Sequence, residues 1–132
     1  MNEKTDRCKL DIPEMETQHE YLYSLFDKLD TFSNNKNQPT LKLLLDEIER
    51  YVLFHFECEE HLMRLYGFTG FAVHQTEHEQ FSARLIRFLD DSDAGQLNVA
   101  ALRIFATGWL MEHSTLADSE YVTWIKNKRA CL

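Results

Sequence analysis

Five of the six histidines in this chain fall where the surrounding pattern asks for a leucine. His19 lies in the stripe of Met15, Leu22 and Phe26, and His55 and Glu59 extend the stripe of Ile48 and Val52. His74 and His78 share a face with Phe81 and Leu85, and His113 follows Trp109, with Asp118 five residues on. Residues four apart on a helix are about 40° apart around its axis, so the pairs His55/Glu59 and His74/His78 each project from one face. His61, six residues past His55, falls nearly opposite and is expected to face solvent.

A single histidine on an apolar face is usually a hydrogen-bonded core residue. Five such residues buried independently would be costly, because each ring needs partners on both nitrogens. One metal cluster removes that cost for all of them together. Imidazole and carboxylate are donors for iron, manganese, zinc and related ions. Five histidines with Glu59 and Asp118 make seven side chains, more than a tetrahedral or an octahedral ion can take. Two ions a few ångströms apart, bridged by the carboxylates, use all seven, and the bridging charge offsets the repulsion between two cations. No catalytic nucleophile or acid–base set stands out beside this group.

The elements that must carry these residues are helices. An irregular arm is expected before Pro13, which suits an early helical position, and the first stripe runs from Met15 through Leu29. The polar run Ser33-Asn34-Asn35-Lys36-Asn37 predicts a loop. A second helix reopens at Pro39, passes through Leu41, Leu45, Ile48, Val52, His55 and Glu59 to Tyr66, and closes on Gly67 in a left-handed conformation. The third is expected from Phe71 to Leu89, ended by the run from Asp90 to Gly95. The fourth begins near Gln96, presents Val99, Leu102, Trp109 and His113 inward, and has room to bend on its way through Leu116 and Tyr121 to Ile125. Period-2 alternation and internal repeats are absent. The expected fold is all-α: an up-down-up-down four-helix bundle with a short N-terminal arm, spanning residues 1–132 as one domain.

Composition narrows the function. With 22 acidic against 14 basic residues the net charge is -8, which argues against a nucleic-acid partner. No apolar run is long enough for a membrane span, and the first residues are too polar for a secretory signal, so a cytoplasmic protein is expected. Cys8, Cys58 and Cys131 match neither a zinc-ligand spacing nor a redox pair, and are expected to be free thiols in a reducing compartment. A Cys8–Cys131 disulfide is the alternative, and Cys58 is expected to behave as a small hydrophobe.

Four stretches resemble the hemerythrins, particularly their bacterial forms: QHEYL around His19, HFECEEHLM from His55 to Met63, HQTEH from His74 to His78, and WLMEHSTLADSEY from Trp109 to Tyr121. The likeness runs from about Glu14 to Tyr121, with seven ligand types in order at matching spacings. It implies two iron ions, Fe2+ or Fe3+, sharing an oxo or hydroxo bridge. His74, His78 and His113 would complete one iron, His19 and His55 would hold the other, and Glu59 and Asp118 would bridge both. The second iron then has one ligand fewer, and its open position is where the family binds dioxygen. Phe56, Trp109 and Leu110 would line the pocket. Ser114 departs from the family, whose members usually carry an aliphatic residue there, and a hydroxyl at that point admits water.

The implied function is reversible dioxygen binding, for storage and delivery or for sensing. The implied protein is a monomer, or alternatively a domain of a larger signalling protein. A competing class is a di-iron enzyme that reduces nitric oxide or peroxide, or an iron store. Ferritin-like sites are richer in glutamate than this one, and fewer anionic ligands stabilise high-valent iron less, which favours binding over oxygenation. A third class is a metal-free structural bundle, whose unfolding would be indifferent to chelators.

Overall fold

A computed structural model describes residues 13–32 and 38–130. Among them lie four helices: α1 (Pro13–Lys28), α2 (Gln38–Leu65), α3 (Phe71–Asp93) and α4 (Val99–Ala130). A single 3-10 turn, Leu29–Phe32, extends α1. The loop expected at residues 33–37, the arm before Pro13, and Cys8 and Cys131 lie outside the described residues. α1 packs on α2 and α4, α2 on α3, and α3 on α4, which closes the ring of a four-helix bundle. No described helix is long and apolar enough to cross a membrane.

The helix ends follow local chemistry. Gly67 has φ +65°, and the amides of Gly67 and Phe68 bond back to the carbonyls of Arg64 and Met63, satisfying the last turn of α2 as expected. Gly95 repeats the device at φ +73°, with Gly95 and Gln96 bonding to Ser92 and Asp91. That cap carries α3 to Asp93, four residues past the expected end, because the aspartates there stay helical until the glycine supplies the left-handed turn. α4 starts later than expected, at Val99, because Asn98 caps it: Asn98 Oδ1 accepts from the Ala101 amide at 3.0 Å. From there α4 runs unbroken to Ala130.

The core has two apolar parts with a polar layer between them. The larger contains Leu22, Leu25, Phe26 and Leu29 of the α1 segment, Leu41, Leu45, Ile48 and Val52 of α2, Phe81 and Leu85 of α3, and Leu102, Ala106 and Leu110 of α4. The smaller contains Met15, Cys58, Leu62, Met63, Tyr121 and Ile125, with Phe68, Phe71 and Trp124 against it. On every helix the buried histidines fall between these two groups. Burying each large apolar side chain contributes roughly 1.5–3 kcal/mol, and this fixes the four helices around a layer that apolar burial cannot stabilise.

Cys58 corrects the thiol expectation. It is fully buried and disulfide-bonded, and its partner cysteine lies outside the described residues. Spacing along the chain says nothing about which cysteines meet in space, so the free-thiol argument for a reducing compartment no longer holds.

Candidate metal centre

All five histidines and both carboxylates of the polar layer are buried, with Glu59 and His55 at 0% exposure. They form two donor groups. Glu59, His74, His78, His113 and Asp118 make one, and His19, His55, Glu59 and Asp118 make the other, with the donor atoms of each group within 4.8 Å of one another. His61 is exposed, as its place on the helix predicts.

Each carboxylate divides its oxygens between the groups. Glu59 Oε2 lies 3.2 Å from His55 Nε2 and 3.6 Å from His19 Nε2, while Oε1 lies 3.0 Å from His78 Nε2 and 3.5 Å from His74 Nε2. Asp118 Oδ2 faces His19 Nε2 at 3.2 Å, and Oδ1 faces His74 and His113 Nε2 at 3.1 and 3.2 Å. His19 Nε2, His55 Nε2, Glu59 Oε1 and both Asp118 oxygens have no hydrogen-bond partner despite these short distances. His113 Nε2 lies 3.0 Å from His74 Nε2 and 3.2 Å from His78 Nε2, and three converging imidazole nitrogens cannot all be satisfied by each other's single protons. Cations set between these lone pairs would satisfy all of them, so the residues present fit a metal cluster.

Without metal, protons must supply the missing positive charge. Burial alone would lower the pKa of His19, yet the facing Asp118 and Glu59 carboxylates raise it from 6.5 to about 10. Burial likewise opposes protonation of His74, and the same two carboxylates carry it to about 9. Burial would raise Glu59, but the surrounding histidines hold it well below the ordinary carboxylate value. Asp118 is lowered too, by His113, His19 and His74, against burial and the charge of Glu59.

The outer ring nitrogens have their own partners, which the sequence reading missed. His55 Nδ1 lies 2.7 Å from Gln18 Oε1, His78 Nδ1 lies 2.8 Å from Glu60 Oε2, and His113 Nδ1 lies 3.1 Å from Glu77 Oε1. Tyr121, also missed, donates its hydroxyl to Glu59 Oε2. The signal for Glu60 and Glu77 was faint: each stands beside or one residue before a ligand, where glutamate usually marks a solvated face.

The expected pocket residues are divided between the two sides. Phe56 stacks on His78 at 3.8 Å and Trp109 on His113 at 4.3 Å, so both rings back the three-histidine group, and Leu110 is buried in the larger apolar cluster. Ser114 instead lines a cavity of about 450 Å³ whose wall also includes His19, Asp118, Tyr121, Lys126 and Arg129. Ser114 donates its hydroxyl to the Met111 carbonyl at 3.3 Å.

Known proteins share this arrangement of chain and fold. The chain is 26% identical to a bacteriohemerythrin of Stenotrophomonas maltophilia over 121 residues, covering 92% of this chain and 79% of that one. It is 28% identical to a bacteriohemerythrin of Methylococcus capsulatus over 105 residues, covering 79% of this chain and 80% of that one. A crystal structure of wild-type hemerythrin superposes with a TM-score of 0.77 at 26% identity, covering 84% of this chain and 86% of that chain. Residues 10–125 match the family model of the hemerythrin HHE cation binding domain. This chain therefore belongs to the hemerythrin family.

Proposed function

We propose that the chain binds dioxygen reversibly at a di-iron centre, with His74, His78 and His113 holding one iron, His19 and His55 the other, and Glu59 and Asp118 bridging them. The carrying observation is the division of each carboxylate between two unequal histidine groups, with one oxygen turned to each. Two ferrous ions in these positions would supply the two electrons that dioxygen binding draws on. The protein's part is to hold five neutral imidazoles and two carboxylates in a buried layer. Phe56 and Trp109 back the three-histidine side with stacked rings and Leu110 is buried beside them, while a cavity of about 470 Å³ reaches His113 and Trp109 past Glu77. Family membership and bacteriohemerythrin relatives support the same reading. We take residues 1–132 as one monomeric domain, serving storage, delivery or sensing.

One feature favours a second reading, turnover of nitric oxide or peroxide with a reductant. The two-histidine side meets a cavity lined by His19 and Asp118 with the hydroxyls of Ser114 and Ser119 in its wall, which would give water and protons a way in. Iron analysis joined to visible spectroscopy tests both. Two irons per chain and charge-transfer bands that come and go as oxygen is added and withdrawn are expected. One iron or none would overturn the di-iron reading, and repeated consumption of nitric oxide or peroxide when a reductant is added would favour turnover.

A further inference from the structure

The outer partners of the histidines are not distributed evenly. In the three-histidine group, His78 Nδ1 faces Glu60 Oε2 at 2.8 Å, and the other Glu60 oxygen accepts from Gln75 Nε2 at 3.1 Å, so the glutamate is held at both ends. His113 Nδ1 faces Glu77 at 3.1 Å. In the two-histidine group, His55 Nδ1 faces the neutral amide oxygen of buried Gln18, and the nearest carboxylate to His19 Nδ1 is Glu16 at 3.6 Å, whose side chain is 81% exposed. One group is thus backed by two anions at contact distance, and the other by an uncharged amide and a solvated glutamate.

The geometry points to Glu60 and Glu77 as positioning residues that make the two metal positions unequal, with the three-histidine position the tighter one. This rests on the reading of the seven inner side chains as a two-metal centre. A carboxylate opposite Nδ1 keeps the proton on that nitrogen, leaves the Nε2 lone pair toward the centre, and raises the donor strength of the ring. An amide oxygen fixes the same tautomer without adding charge. Glu60 is the stronger of the pair: its side chain is 15% exposed and doubly bonded, whereas Glu77 is 41% exposed and solvent screens it. Gln75 fixes the Glu60 carboxylate against His78 and leaves its charge in place.

The inference separates hydrogen bonding from charge. In Glu60→Gln the amide oxygen can still accept from Nδ1, so a purely structural role survives the substitution and an electrostatic one does not. The test loads the full chain with cobalt(II), counts ions retained against time under a chelator, and follows the exchangeable Nδ1–H resonances of the coordinated rings by paramagnetic NMR. Wild type is expected to lose its two ions in two phases. Glu60→Gln should speed the slower phase roughly 10- to 100-fold and move the His78 resonance, with Glu77→Gln acting in the same phase more weakly. Gln18→Leu should speed the faster phase instead. Loss of both ions from Glu60→Gln and Glu77→Gln at wild-type rates, or equal acceleration of both phases, would overturn the inference. Failure of wild type to hold two ions would instead overturn the two-metal reading on which it rests. Circular dichroism of the metal-free variants keeps misfolding separate from either result.

Discussion

Tyr121 of α4 donates its hydroxyl to Glu59 Oε2 of α2 at 3.2 Å, and neither residue has any exposed surface. The phenol is pushed well above its ordinary pKa by burial and by the charges of Glu59 and Asp118, so it remains a donor across the working pH range. Its ring meets His74 edge-on at 5.4 Å, which places one aromatic side chain of α4 against a candidate ligand from each of α2 and α3. The contact joins residues 62 apart in sequence and belongs to the layer between the two apolar clusters.

Tyr121→Phe keeps the ring and removes the donor. Hydrogen bonds to charged groups contribute about 1.5–3 kcal/mol, so the metal-free variant should lose stability of that order, measured by urea denaturation. The loaded variant should also show displaced charge-transfer bands, because the bridging carboxylate becomes a stronger donor. Unchanged stability and an unchanged spectrum together would mean that the contact does not matter.

The metal-free protein should respond to pH in a defined direction. His19 and His74 have folded pKa values of about 10 and about 9 against 6.5 in an unfolded chain. A raised pKa gives stability that is complete below about pH 6.5 and is lost as pH climbs through 9 and 10. Glu59 and Asp118 are lowered, so their contribution holds above the ordinary carboxylate range and is lost as acid protonates them in the folded state. Melting temperature of the stripped protein should therefore fall by several degrees between pH 6.5 and 10. Metal uptake should show the opposite dependence and release protons, because those rings must be neutral to donate. A pH indicator dye during loading at pH 7 checks the release, and uptake without protons would contradict it.

Ser114→Ile should slow oxidation in air severalfold. The hydroxyl lines the cavity at His19 and Asp118 and donates to the Met111 carbonyl. An aliphatic side chain fills that space and removes a path for protons. The decay of the oxygenated spectrum over hours measures it. A variant that decays as fast as the parent would show that water enters elsewhere.

The ligands could be read from the chain because a helix repeats its faces: His55/Glu59 and His74/His78 announce a shared side, and their neighbours announce that the side is buried. The fold followed for the same reason, and the helix ends were recovered where glycine made them, at Gly67. What escaped depends on distance in space. Glu60 looks like one more surface charge beside Glu59 until α3 places His78, 18 residues on, against it. Gln18 is fully buried although its type predicts exposure, since only the packing of α1 on α2 brings His55 to its amide. Cys58 was misjudged because a bond between cysteines leaves no trace in helical period.

The polar layer that separates the two apolar clusters also sets where a stripped molecule gives way. Met15, Leu62, Met63 and Ile125 are cut off from the larger cluster by a polar layer whose buried donor atoms lack hydrogen-bond partners when no cation joins them. Local opening of this smaller end then needs far less free energy than global unfolding, and amide hydrogens around residues 60–66 and 121–129 should exchange early in the stripped protein and late in the loaded one. The same end carries the cavity beside His19, so a bundle that breathes there offers an arriving ion its way in.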